Sequence, residues 1–108
     1  MRDLIGEVLR RWGYNALTAN GPAEAECLCL EFQRSIDVVL SDFNLPGLNG
    51  AKLAERLRMI CPHIKFIFMA ADPAVLDELT DRGFSFLEKP FSFTELRAII
   101  QERLPAAP

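Results

Sequence analysis

With 108 residues, half of them hydrophobic, the chain is sized for one domain with an ordinary core. A formal charge of −3 argues against a nucleic-acid surface, and no apolar run approaches the roughly 18 residues of a membrane span. The opening Met1-Arg2-Asp3-Leu4 lacks the apolar core of a signal peptide, and Cys27, Cys29 and Cys61 have no framework spacing, which fits a reduced, cytoplasmic protein.

The first predicted helix runs from Arg2 to Trp12, with Leu4, Ile5, Val8, Leu9 and Trp12 on one stripe and Gly13 as its stop. Tyr14 to Ala19 is expected as a short strand. Asn20-Gly21-Pro22 turns into a helix reaching about Arg34, with Pro22 tolerated in its first turn. On this helix Cys27 and Cys29 point to different faces, and they read as small hydrophobes rather than metal ligands.

Ile36 to Ser41 is a near-continuous apolar run, the mark of a parallel strand covered on both faces. Asp42 follows at its tip, and the turn Asn44-Leu45-Pro46-Gly47-Leu48-Asn49-Gly50 follows Asp42. A third helix spans Gly50 to about Ile60, with Leu53, Leu57 and Ile60 on one face, and Cys61-Pro62 ends it. His63 falls in that turn and is expected to be solvated. Lys65 to Ala70 is a strongly apolar strand. Asp72 follows the strand end on the same rim as Asp42, where the alternatives are a reach into a site at that rim and, preferred, the cap of the helix Pro73 to Arg82, which Gly83 stops. Phe84 to Glu88 is the next strand, ending at Lys89-Pro90. Ser92-Phe93-Thr94-Glu95 has the form of a capping box opening the last helix, whose expected core face is Phe93, Leu96, Ile99 and Ile100, extending to Arg103-Leu104. The tail 105–108 is expected to be unstructured.

Strands alternating with helices imply right-handed crossovers and a parallel sheet with helices on both faces. Ligands bind such sheets at the carboxyl ends of the strands. Asp42 and Lys89 both stand at strand tips, so a carboxylate and an ammonium are candidates for a small anion-handling site. No second nucleophile, base or cofactor loop accompanies them, and turnover on a free substrate is not expected.

With these residues placed, residues 1–104 resemble the response-regulator receiver family of two-component signalling. The motifs carrying the resemblance are Trp12-Gly13-Tyr14, Asn20-Gly21-Pro22-Ala23-Glu24-Ala25, the loop from Asp42 to Gly50, and Lys89-Pro90-Phe91. The resemblance implies a flavodoxin-like α/β fold with strand order 2-1-3-4-5. It makes Asp42 the phosphoryl acceptor and Lys89 the cation that contacts the phosphoryl group, with a cis Lys89-Pro90 bond. Asn44 lends a backbone carbonyl to a Mg²⁺ ion beside Asp42. Phe86 takes the aromatic switch position, and Ala70 stands where relatives carry a switch hydroxyl. The implied partners are a sensor histidine kinase or a phosphotransfer protein.

Two departures bear on function. Relatives begin with a hydrophobic strand ending in an acidic pair that holds the metal, whereas here Met1 is already at the first helix. About four strands are therefore expected, with a weak Mg²⁺ site and impaired phosphorylation. Met1 also reads as an internal methionine of a longer frame. The absent strand is central, so its loss strips partners from both neighbours at about 1–3 kcal/mol per orphaned buried group. Two repairs are expected: closure of Tyr14–Ala19 directly beside Ile36–Ser41, or a homodimer. Phe84, Phe86, Phe91 and Phe93 are a candidate contact cluster. The alternative function is a degenerate receiver acting as a phosphorylation-independent interaction or dimerisation module.

Overall fold

The computed structural model describes residues 2–19, 21–32, 35–45 and 48–104; the expected tail at 105–108, Pro46-Gly47 and the expected helix end at Arg34 lie outside them. Five helices and five strands follow in the order α1 (Arg2–Arg11), α2 (Pro22–Glu31), β1 (Val38–Asp42), β2 (Asn44–Leu45), β3 (Leu48–Asn49), α3 (Gly50–Ile60), β4 (Lys65–Ala70), α4 (Pro73–Arg82), β5 (Ser85–Glu88) and α5 (Phe93–Arg103).

The helix signals act as their chemistry dictates. Asn49 caps α3 by accepting from the Lys52 amide, and Asp72 caps α4 by accepting from the Ala74 amide. Gly83 closes α4 at φ 76°, a left-handed conformation that disfavours side chains. At α5 the box is complete: the Ser92 hydroxyl accepts from the Glu95 amide, and the Glu95 carboxylate accepts from the Ser92 amide.

β1, β4 and β5 form a parallel sheet with β4 in the centre. The register pairs Leu40 with Ile67 and Asp42 with Met69 on one side of β4, and Ala70 with Glu88 on the other. Because side chains alternate along a strand, β4 feeds two cores. Phe66, Phe68 and Ala70 enter one with Leu53, Ala54, Leu57, Cys61 and Leu79. Ile67 and Met69 enter the other with Ile5, Leu87, Leu96 and Ile100. In the first core the Phe68 ring stands edge-on to Phe43 and Phe84, at centroid distances of 5.5 and 5.1 Å. Arg58 lays its guanidinium over Phe66 and Phe84, and Arg97 lies over Trp12.

The α/β class, parallel sheet and flanking helices match the sequence expectation. Tyr14–Ala19 does not form the strand expected of it, so the parallel sheet has three strands among the described residues. Within the segment Tyr14 and Ala16 are half-buried, whereas Asn15, Leu17 and Thr18 are exposed. It is fastened to α1 rather than to β1. The Arg10 guanidinium donates to the Ala16 carbonyl at 3.2 and 2.9 Å, and the Tyr14 amide donates to Leu9. A strand is defined by a ladder, and no backbone hydrogen bond joins the segment to β1 among the described residues. Direct closure onto β1 is thus not the repair adopted. Leu4, expected on the core stripe of α1, is exposed, while Ile5 is buried in the second core.

Candidate functional site

β1 ends at Asp42 and β5 runs out through Glu88 into Lys89, and β4 between them puts both tips on one rim. The Lys89 amide donates to the Ala70 carbonyl at 2.8 Å, tying the lysine backbone to the end of β4. The Lys89-Pro90 bond is cis. On the other side, the Phe43 amide donates to the Met69 carbonyl, extending the ladder one residue past Asp42. Beyond it, β2 and β3 pair antiparallel, Asn44 with Asn49 and Leu45 with Leu48, and hold the Asp42–Gly50 loop closed.

This framework brings the Lys89 ammonium onto Asp42 Oδ1 in a direct ion pair. Oδ1 is shut off from solvent and makes no aligned hydrogen bond, so the contact is ionic. The Asp42 side chain as a whole is 45 % exposed and Lys89 38 %, which leaves Oδ2 as the oxygen open to solvent. The pair forms one wall of a cavity of about 350 Å³, lined also by Asn44, Met69, Ala70, Ala71 and Asp72. A phosphate-sized anion fits that space, and the ammonium offers it charge.

Ala70 is buried at the end of β4 and gives the rim no hydroxyl. Phe86 is half-buried against the first core. The four phenylalanines expected to cluster are instead divided: Phe84 and Phe86 pack on the first core, Phe91 on the second, and Phe93 is exposed. Alternation along β5 and the turn into α5 send them to different faces. Asp37 stands before β1, with its carbonyl accepting from the Lys65 amide, at the opposite end from the rim. His63 is exposed and meets the Ile36 carbonyl at 3.1 Å. Cys27 is exposed, whereas Cys29 and Cys61 are buried.

Met69 and Ala71 line the cavity without having been singled out from the sequence. Only the register with Asp42 reveals Met69. Asp72 has two places at once: it caps α4 and it borders the cavity.

A resident Mg²⁺ asks for near-octahedral oxygen ligands, usually one or two carboxylates, waters and substrate phosphates. Here Asp42 is already neutralised by Lys89, Asp72 is engaged as a cap, and Asn44 lines the same cavity. Among the described residues no group of three or more His, Cys, Asp or Glu could hold a metal ion. The residues present do not fit a resident metal.

The profile of the response regulator receiver domain matches residues 1–101. Over 99 residues the chain is 36% identical to the sensor kinase CckA of Brucella abortus, covering 89% of this chain and 10% of that protein. It is 29% identical to sporulation initiation phosphotransferase F of Bacillus subtilis, covering 97% of this chain and 86% of that protein. The chain thus spans a tenth of the first relative and most of the second. Among solved structures, a response regulator receiver protein from Burkholderia phymatum superimposes with a TM-score of 0.81 at 27% identity, covering 99% of this chain and 89% of that one.

Proposed function

The chain belongs to the response regulator receiver domain family of two-component signalling, and from that premise we propose that Asp42 is its phosphoryl acceptor, working slowly and without a resident metal cage. The observation carrying this reading is the Lys89–Asp42 pair at the mouth of the rim cavity. Receiver domains interact with histidine kinases or phosphotransfer proteins, and a phosphorylated histidine of such a partner is the proposed donor. Oδ2 of Asp42 attacks phosphorus, the phosphorus–nitrogen bond breaks, and the imidazole leaves with the electron pair and takes up a proton from solvent. The product is an acyl phosphate on Asp42. Lys89 neutralises charge on the phosphoryl oxygens and releases Asp42 Oδ1 in doing so. The chain is an acceptor in this scheme and turns over no free substrate.

Intact mass after incubation with a small-molecule phosphodonor tests the reading, with and without Mg²⁺. One phosphoryl adduct, absent from Asp42→Asn and slowed on the order of a hundredfold in Lys89→Ala, supports it. A folded sample with no adduct overturns it in favour of a receiver fold that works by protein contact alone. What favours that second reading is that, among the described residues, no group of three or more His, Cys, Asp or Glu gathers beside Asp42.

Self-association belongs to the same proposal. Leu4, Leu17, Leu30 and Phe93 are exposed, and Met59 is 86% exposed. A sedimentation mass of about twice 12.2 kDa at micromolar concentration supports a homodimer, and the mass of one chain overturns it.

A further inference from the structure

α2 is held to the rest of the molecule by little of its own surface. Cys29 is its only buried residue, with Ala25 and Leu28 half-buried beside it. Gly21 gives it no side-chain cap. The Glu26–Arg56 pair that ties it to α3, at 3.6 Å, stands largely in solvent, where such pairs contribute little. The end of α3 is the opposite case. The Cys61 amide donates to the Leu57 carbonyl, and the Cys61 carbonyl accepts from the Ile64 amide on the way into β4. Cys61 is therefore a fixed point, and Cys29 is the point that moves against it.

The two side chains meet inside the first core, where Cys29 is 2% exposed and Cys61 1%. Cys61 Sγ donates to the Cys29 carbonyl at 3.7 Å, and the Cys29 thiol hydrogen-bonds to Cys61 in turn. Two alanines or valines would serve a core as filler. Two touching thiols add a reaction those residues lack. Cys27 is exposed on another face of α2, and one helix does not bring residues two apart into contact. The closed molecule shields the buried pair from solutes. Access requires α2 to lift from α3, and its weak hold gives that opening a lower free energy than the loss of β4.

We propose that Cys29 and Cys61 are a reversible redox pair, which a small peroxide entering as α2 lifts converts into a disulfide that staples α2 to the end of α3. Hydrogen peroxide balances the step. Cys61 Sγ attacks one peroxide oxygen as the thiolate, the O–O bond breaks, and the departing hydroxide takes up the thiol proton as water. Cys29 Sγ then gives up its proton and attacks the Cys61 sulfur. The S–S bond forms, the S–O bond breaks, and a second water leaves with that proton. Both sulfurs are oxidised and the peroxide is reduced to water. Burial pushes the Cys29 thiol up, which makes it the poorer first nucleophile and gives Cys61 the opening attack. A dithiol reverses the link by exchange. The proposal stands apart from the chemistry of Asp42.

The test treats the reduced full chain and its Cys27→Ser variant with about 1 mM hydrogen peroxide, then unfolds and alkylates each. Cys27 is exposed, so its replacement leaves both cores intact. The variant is expected to give a single chain lighter by two hydrogen atoms, with no alkylated thiol and with the Cys29 and Cys61 peptides joined. Dithiothreitol is expected to restore both alkylation sites. The unsubstituted chain is expected to form the same link and keep Cys27 alkylated. Amide exchange across α2 is expected to slow on the order of a hundredfold in the oxidised form. The pairing rate is expected to stay within about twofold between buffer and urea below the unfolding transition. Two alkylated thiols in the variant, added oxygen without the link, a link through Cys27, or α2 exchange unchanged by the link overturns the proposal. A rate that rises with urea in step with global unfolding also overturns it, because the thiols then join only in the unfolded chain.

Discussion

A methyl group at Gly50 would meet Phe43 Cδ1 and Phe68 Cε1 at 2.6 Å each, against rings locked in the first core. The residue is needed for its lack of volume, since α3 starts directly beneath those rings and the Gly50 amide donates to the Phe43 carbonyl. Gly83 is needed for a different reason: a methyl group there meets nothing, but φ is 76°. Gly50→Ala is expected to cost about 1–3 kcal/mol through overpacking, and Gly83→Ala about 1 kcal/mol through backbone strain. Urea midpoints check both. A further residue-scale effect concerns Cys29, whose thiol burial pushes up from its ordinary value, aided by Cys61 and Glu26. Cys61 Sγ also donates to the Cys29 carbonyl at 3.7 Å. The folded state holds the Cys29 proton more tightly than the unfolded chain does. This contribution is whole below the ordinary thiol range, near ~8.5, and is lost as pH rises through the raised folded value. Stability is expected to fall at alkaline pH, and Cys29→Ala to flatten that part of the profile in urea titrations.

The elements differ in how firmly they are held. β4 is paired on both sides and buried from Phe66 to Ala70. α1 enters the core through Ile5, with Leu9 and Trp12 packed at its margin, and its strongest ties run to its own following segment. Residues 4–19 are therefore expected to exchange their amides through an opening of lower free energy than β4, read by native-state hydrogen exchange in mild denaturant. Exchange of both sets at one common rate would contradict this. The same contrast explains what the sequence revealed. β4 was legible because its apolar, aromatic run admits no other use, and the α5 cap because Ser92 and Glu95 have a defined local geometry. Tyr14–Ala19 has the local pattern of a strand, but a ladder requires a neighbour, and that is a property of the whole sheet. Asp42 and Lys89 were legible as strand tips. Asp72 was legible as both a helix cap and a rim residue, because it follows directly on the end of β4; the lining role of Met69 depends on register, which one sequence does not print.

At the scale of the molecule, one strand serves two cores, and the described residues include no helix long and apolar enough to cross a membrane. The rim site lies at the tip of β1, which bears the Asp42 carboxylate. The central position of β4 also has a consequence for how the chain is made. A ribosome releases α1 and β1 before β4, at about 5–20 residues per second, yet neither has its full cover until Lys65–Ala70 emerges. Ile5, Val39 and Leu40 must wait in water for a strand still inside the exit tunnel. For that interval the nascent α1 and β1 are clients for any chaperone that binds apolar, extended chain.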